Sequence, residues 1–126
     1  ASVLAVALGD DDPDGAAARE ALQGETLTAP EPIDLEVVSV LRRQVQAGRV
    51  PVARAALAVS DLAQLPLRRA VHRPLLQRCW ELRESVTPYD AAYVALAEAF
   101  GIALVTADAR LSRAPGVRCP ITLVSR

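Results

Sequence analysis

Residues 87–108 read Thr87-Pro88-Tyr89-Asp90-Ala91-Ala92-Tyr93-Val94-Ala95-Leu96-Ala97-Glu98-Ala99-Phe100-Gly101-Ile102-Ala103-Leu104-Val105-Thr106-Ala107-Asp108. A threonine, a proline at the first helical position and an acid at Asp90 make a helix start, because the capping side chains satisfy the free amides of the first turn. Gly101 stops that helix after Phe100. Ile102 to Thr106 is a short β-rich apolar run of the kind that parallel sheets bury on both faces. Asp108 then opens a one-turn helix reaching Ser112. A helix that feeds a buried strand, which feeds another helix, is the repeating unit of a layered α/β fold with a mostly parallel sheet.

The same alternation extends outward. Ile121 to Val124 reads as a final strand. Upstream, Thr26 to Ala29 is a short strand candidate, and Pro32 suits the first position of a helix that runs from about Ile33 to Ala47 and stops at Gly48. Val50 to Gln64 is the next helix, closed by Pro66; Leu67 to Val71 is a brief strand, and Pro74 opens a helix to about Glu84. An alanine-rich helix is expected from Pro13 to Gln23. Ala1 to Leu8 fits a strand or a short helix by periodicity, and Asp10, Asp11 and Asp12 read as a solvated turn. With no repeat, low-complexity tract or linker, the 126 residues are expected to form one domain.

Composition narrows the function. An apolar share of 52% excludes a disordered chain, and 3% aromatics argue against an RNA reader built on stacked Phe or Tyr platforms. The net charge is −1, so attraction to nucleic acid must come from a local patch. All 14 basic residues are arginine, which reads as the codon bias of GC-rich DNA. No apolar run of about 18 residues is present, so no membrane span is expected. Ala1 to Leu8 lacks a basic leader and does not read as a signal peptide. Cys79, Cys119 and the distant His72 fit neither a disulfide scaffold nor a zinc site, and a cytoplasmic protein with reduced thiols is expected. His72 reads as a surface or turn residue, and Trp80 is expected to share a helix face with Leu76 in the core or an interface.

Three acids stand out. Glu36 falls at the edge of the arc defined by Ile33, Val37, Val40 and Gln44, where a carboxylate is costly to desolvate unless it turns outward, for instance towards Arg43. Asp90 is a capping residue that shares a face with Val94 and Ala97. Asp108 caps its own helix and also lies just past the carboxyl end of a parallel strand, where open α/β sheets place ligands, with the Thr106 hydroxyl nearby. Each has a purely local explanation. Together, acids drawn to one sheet edge need a cation, and oxygen ligands without Cys or His point to Mg²⁺ or Mn²⁺. Such a centre suits hydrolysis of a phosphodiester.

The pattern resembles the PIN-domain nucleases and, within them, the VapC toxins of bacterial toxin–antitoxin pairs. The carriers are Ala1-Ser2-Val3-Leu4, then Ala29-Pro30-Glu31 through Leu35-Glu36-Val37 with Leu41-Arg42-Arg43. The more specific ones are Thr87-Pro88-Tyr89-Asp90 through Ala97, and Leu104-Val105-Thr106-Ala107-Asp108-Ala109-Arg110-Leu111. The resemblance implies a three-layer α/β fold, a central mostly parallel sheet flanked by helices. It implies four acids around Mg²⁺ or Mn²⁺, of which Glu36, Asp90 and Asp108 match the second, third and fourth, and Thr106 the accompanying hydroxyl. The first acid is expected immediately before Ala1, at the end of an opening strand of about six residues that lies at the middle of the sheet.

The resemblance further implies an Mg²⁺- or Mn²⁺-dependent endoribonuclease, with Asp90, Glu36 and Asp108 as metal ligands. Arg42, Arg43, Arg68, Arg69 and Arg73 are candidate RNA contacts, with ordinary surface charge as their other reading. A VapB-type antitoxin is the implied partner, and homodimers are usual in such proteins. The helix Val50 to Gln64, apolar on more than one side, suits a dimer or antitoxin surface, or the core. The competing expectation is a catalytically inactive PIN-fold module that works only through protein contacts.

Overall fold

The computed structural model describes residues 3–7 and 26–123. In chain order they form β1 (Val3–Ala7), β2 (Thr26–Pro30), α1 (Ile33–Gln46), α2 (Val52–Gln64), β3 (Arg68–Ala70), a 3₁₀ turn (Arg73–Leu75), α3 (Leu76–Glu81), α4 (Pro88–Phe100), β4 (Leu104–Thr106), α5 (Ala109–Ser112) and β5 (Ile121–Leu123). The expected helix Pro13 to Gln23 lies outside the described residues. The chain divides into two compact units, Ala1–Glu31 with Leu67–Arg126, and Pro32–Pro66.

The first unit is built on a five-stranded sheet in the order β3-β2-β1-β4-β5, and every pairing is parallel. Ala5 stands between Thr28 on one side and Leu104 on the other. The middle of the sheet, expected to be filled from upstream of Ala1, is therefore occupied by Val3–Ala7, and the open reading of Ala1 to Leu8 resolves to a strand. Its alternation of Val, Leu and Ala suits a central strand, and it supplies the backbone partners that β2 and β4 would otherwise lack.

One helix covers most of this sheet. α4 packs on β1, β2, β4 and α3, and every residue from Ala91 to Ala97 is buried. Alanine at four of those seven positions, Ala91, Ala92, Ala95 and Ala97, lets the backbone approach its neighbours closely, while Tyr93, Val94 and Leu96 fill the space between. Each of these larger side chains contributes roughly 1.5–3 kcal/mol by leaving water. Gly101, at φ +65°, closes the helix: Ile102 N–H donates to the Ala97 carbonyl at 3.0 Å and Gly101 N–H to Glu98 at 3.3 Å. That closure consumes Ile102 and Ala103, so β4 starts at Leu104 rather than at Ile102.

The expected helix Pro74 to Glu84 is shorter. A 3₁₀ turn leads into α3, which ends at Glu81, and Leu82 N–H reaches back to the Arg78 and Cys79 carbonyls. Thr87 precedes Pro88 and is extended (ψ 159°), as a residue before proline prefers, so the chain must leave the helical conformation before reaching it. Trp80 is 64% exposed, not part of the core, with the Arg83 guanidinium 4.6 Å from its ring centre.

The second unit is a pair of packed helices, α1 and α2. Gly48, at φ +75°, ends α1, with Arg49 N–H on the Gln44 carbonyl at 2.9 Å and Gly48 N–H on Val45 at 3.0 Å. Ile33 and Ala55 are its buried residues, whereas Leu35, Val52 and Leu57 are exposed.

A charged tie fastens the first unit's C-terminal loop. Arg78 Nε donates to Glu98 Oε1 at 2.7 Å and its Nη2 to Oε2 at 3.1 Å, while Nη2 also reaches the Gly116 carbonyl at 2.6 Å. Arg118 N–H donates to Glu98 Oε2 at 2.7 Å. Burial alone would raise the Glu98 carboxyl, but the hydrogen bonds from Arg78 and the Arg118 amide outweigh it and hold the group below its usual range. The stabilisation is complete above the ordinary carboxylate pKa and is lost as pH falls through the lowered folded-state value. Glu98→Gln is expected to cost about 1–3 kcal/mol at pH 7. Urea unfolding across pH 2–7 checks this: the gap between wild type and variant narrows on acidification.

Candidate active site

Each of the two acids in the sheet-bearing unit is placed by a helix start. Asp90 sits in the first turn of α4, and its N–H donates to Thr87 Oγ1 at 3.2 Å, as the capping pattern predicts. Asp108 is the cap of α5, its Oδ1 accepting from Arg110 N–H at 2.9 Å. Thr106, 1% exposed at the end of β4, accepts from Asp108 N–H through Oγ1 at 3.0 Å. The threonine hydroxyl thus fixes the backbone that carries the acid.

Asp90 and Asp108 line one cleft of about 190 Å³, together with Ser85, Val86, Thr87, Arg110 and Leu111. The placement follows from chain direction. β4 ends at Thr106, paired with Ala7 of β1 and Leu123 of β5, and α4 precedes β4 and returns over the sheet. The first turn of α4 therefore meets the loop after β4 at the carboxyl edge of the strands. Asp108 is held below its usual carboxyl range, chiefly by the hydrogen bond from Arg110 and against the opposing effect of burial. The Arg110 guanidinium grips both oxygens, Nε to Oδ1 at 3.2 Å and Nη2 to Oδ2 at 3.1 Å.

Glu36 belongs to the helical unit. It lies in the first turn of α1 with Asp34, is half-buried, and donates its N–H to the Pro32 carbonyl at 2.9 Å. The first acid of the family pattern, placed by resemblance immediately before Ala1, is not among the given residues. Among the described residues no group of three His, Cys, Asp or Glu side chains is gathered for a metal. The cleft still fits a hard cation. Mg²⁺ is commonly held by one or two carboxylates with water completing the octahedron, and Asp90 and Asp108 offer oxygen donors and no sulfur or imidazole.

The candidate RNA contacts are spread over both units. Arg42 and Arg43 are exposed on α1, with Arg43 Nη1 donating to Ser39 Oγ at 3.1 Å. Arg68 is exposed on the edge strand β3, and Arg69 beside it is half-buried and donates to the Leu67 carbonyl at 3.1 Å. Arg73 is exposed at the 3₁₀ turn, next to His72, an exposed residue at that turn as expected. Sequence reading missed Arg110 and the Arg78–Glu98 tie. The signal for Arg110 was its place two residues after a capping acid; nothing local signals a contact between α3 and α4. A larger cavity of about 370 Å³, bounded by Glu98, Gly101, Arg118 and Cys119 among others, lies outside the acidic cleft, and its acid is committed to Arg78. Cys79 and Cys119 are free thiols raised above their usual range by burial, in keeping with small apolar behaviour.

A PIN domain model matches residues 1–117. The chain is 43% identical over 109 residues to VapC ribonuclease Mb0985 of Mycobacterium bovis, covering 86% of each chain. It is 39% identical over 113 residues to ribonuclease VapC12 of Mycobacterium tuberculosis, covering 90% of this chain and 88% of that one. It is 42% identical over 107 residues to ribonuclease VapC1 of the same species, covering 84% and 80%. The crystal structure of PAE2754 from Pyrobaculum aerophilum superposes with a TM-score of 0.62 at 21% identity, covering 93% of this chain and 91% of that one, which shows the fold. The chain belongs to the PIN-domain family, and its fold is the α/β arrangement of that family.

Since the Arg110 N–H is satisfied by the Asp108 side chain, Asp108→Ala is expected to cost about 1 kcal/mol, whereas Asp108→Asn, which keeps a capping oxygen, costs a few tenths. Thermal unfolding of the two variants in chelator separates the capping role from the charge.

Proposed function

We propose that this protein is the toxin of a type II toxin–antitoxin pair, an endoribonuclease that hydrolyses RNA phosphodiester bonds with Mg²⁺ or Mn²⁺. The observation that carries the reading is the convergence of Asp90 and Asp108 on one cleft at the carboxyl edge of the sheet, in a chain so similar to VapC ribonucleases. Asp90 and Asp108 would hold the cation, Glu36 is the further ligand that the family resemblance implies, and Thr106 fixes the Asp108 backbone. The bound cation supplies a water of lowered pKa and neutralises charge building at phosphorus. Asp108, held below the usual carboxyl range by the hydrogen bond from Arg110, stays ionised for this task at neutral pH. Arg42, Arg43, Arg68, Arg69 and Arg73 meet the RNA backbone, each phosphate contact adding to the salt dependence of binding.

The partner is a VapB-type antitoxin, and the working form is a homodimer in the cytoplasm. Exposed apolar side chains on α2 (Val52, Leu57 and Val59) and on α3 (Leu76 and Trp80) support a protein partner. No helix among the described residues is long and apolar enough to cross a membrane. The test is cleavage of total RNA by purified protein with Mg²⁺, with Mn²⁺ and with chelator. Metal-dependent cleavage is expected, and Asp90→Asn should lower it about 10³-fold or more while leaving circular dichroism unchanged. A folded wild type that binds its antitoxin yet cleaves no RNA with either metal leaves the inactive binding-module reading in place.

A further inference from the structure

We propose that Arg110 is a phosphate-binding residue of the active site, held on Asp108 in the metal-free protein and released to the substrate when a cation takes that carboxylate. The inference rests on the metal-dependent ribonuclease reading and extends it to a residue with no assigned role.

Three observations carry it. The Arg110 fork engages both Asp108 oxygens, so the guanidinium and a divalent cation compete for the same lone pairs. The contact is unnecessary for the fold. The helix cap uses the Arg110 backbone N–H, which any residue except proline supplies, and the neighbouring Leu111 is the buried residue that anchors α5. The Arg110 side chain is 82% exposed against 23% for Asp108, and a pair whose cation sits in solvent holds too weakly to keep a divalent ion out.

Arg110 also lines the cleft with Asp90 and Thr87, so a guanidinium freed from Asp108 remains beside the place where the RNA phosphate is bound. It cannot lose its proton, and its planar fork matches two phosphate oxygens. One side chain thereby relieves the carboxylate charge before the cation arrives and the phosphate charge afterwards.

The experiment compares wild type, Arg110→Gln and Arg110→Lys as full chains. Mn²⁺ affinity is measured by electron paramagnetic resonance without RNA, and cleavage rates are measured at saturating Mn²⁺. Arg110→Gln is expected to bind Mn²⁺ about fivefold more tightly, because its competitor is gone. Its kcat is expected to fall about 100-fold, with Arg110→Lys intermediate because it keeps the charge and loses the fork. Unchanged Mn²⁺ affinity in Arg110→Gln overturns the competition, and unchanged cleavage overturns the phosphate role. A wild type that binds no Mn²⁺ and cleaves no RNA overturns the underlying reading instead, and is seen before any variant is compared.

Discussion

The burial of α4 against the sheet is the constraint from which the site follows. From Ala91 to Ala97 no residue of this helix reaches solvent, so its direction and depth are fixed by contact on all sides. Both ends are then pinned by local chemistry, Thr87 and Pro88 at the start and Gly101 at the finish. The start holds Asp90 at the carboxyl edge of the strands. The finish aims the chain into β4, whose end holds Thr106 and Asp108. Two acids 18 positions apart in sequence meet because one helix cannot move.

The parts legible in the sequence are those whose causes are local. The Thr87 cap, the Gly101 stop, the apolar β4 run and the Asp108 cap each depend on a few adjacent residues, and their assignment needed no tertiary information. The order of the sheet did not follow in this way. Whether Val3–Ala7 is strand or helix depends on partners at Thr26 and Leu104, which periodicity within five residues does not reveal. α3 is shorter than the spacing suggests: Leu82, at φ −91° and ψ 7°, closes it, and no glycine or proline marks that end in the sequence. Trp80 and Leu76 are both exposed, so the core reading of their shared face falls and the interface reading stays; a helix this short does not define a buried stripe by spacing.

For the site, residue types revealed more than contacts did. Asp90, Asp108 and Thr106 were singled out as acids and a hydroxyl near helix starts, and the geometry unites them. Glu36 stands out by the cost of placing a carboxylate beside an apolar arc, a feature of its own helix, where it is half-buried in the first turn of α1. Arg110 escaped notice because an arginine two residues after a capping acid looks like ordinary helix-surface charge.

The double duty proposed for Asp90 and Asp108 has a physical logic. A carboxylate at a helix start is already favoured by free amides and by the helix dipole, so charge can be kept there at modest cost. Asp108 shows the arrangement most fully. One oxygen accepts the Arg110 amide, the Thr106 hydroxyl fixes its own N–H, and the remaining lone pairs face an arginine fork that sits in solvent. The fold therefore holds the carboxylate by its backbone and leaves the exchangeable partner at the surface. On the proposed reading, a cation that replaces the Arg110 fork leaves the strand and helix in place, because the backbone hydrogen bonds that hold the cap are not among those exchanged.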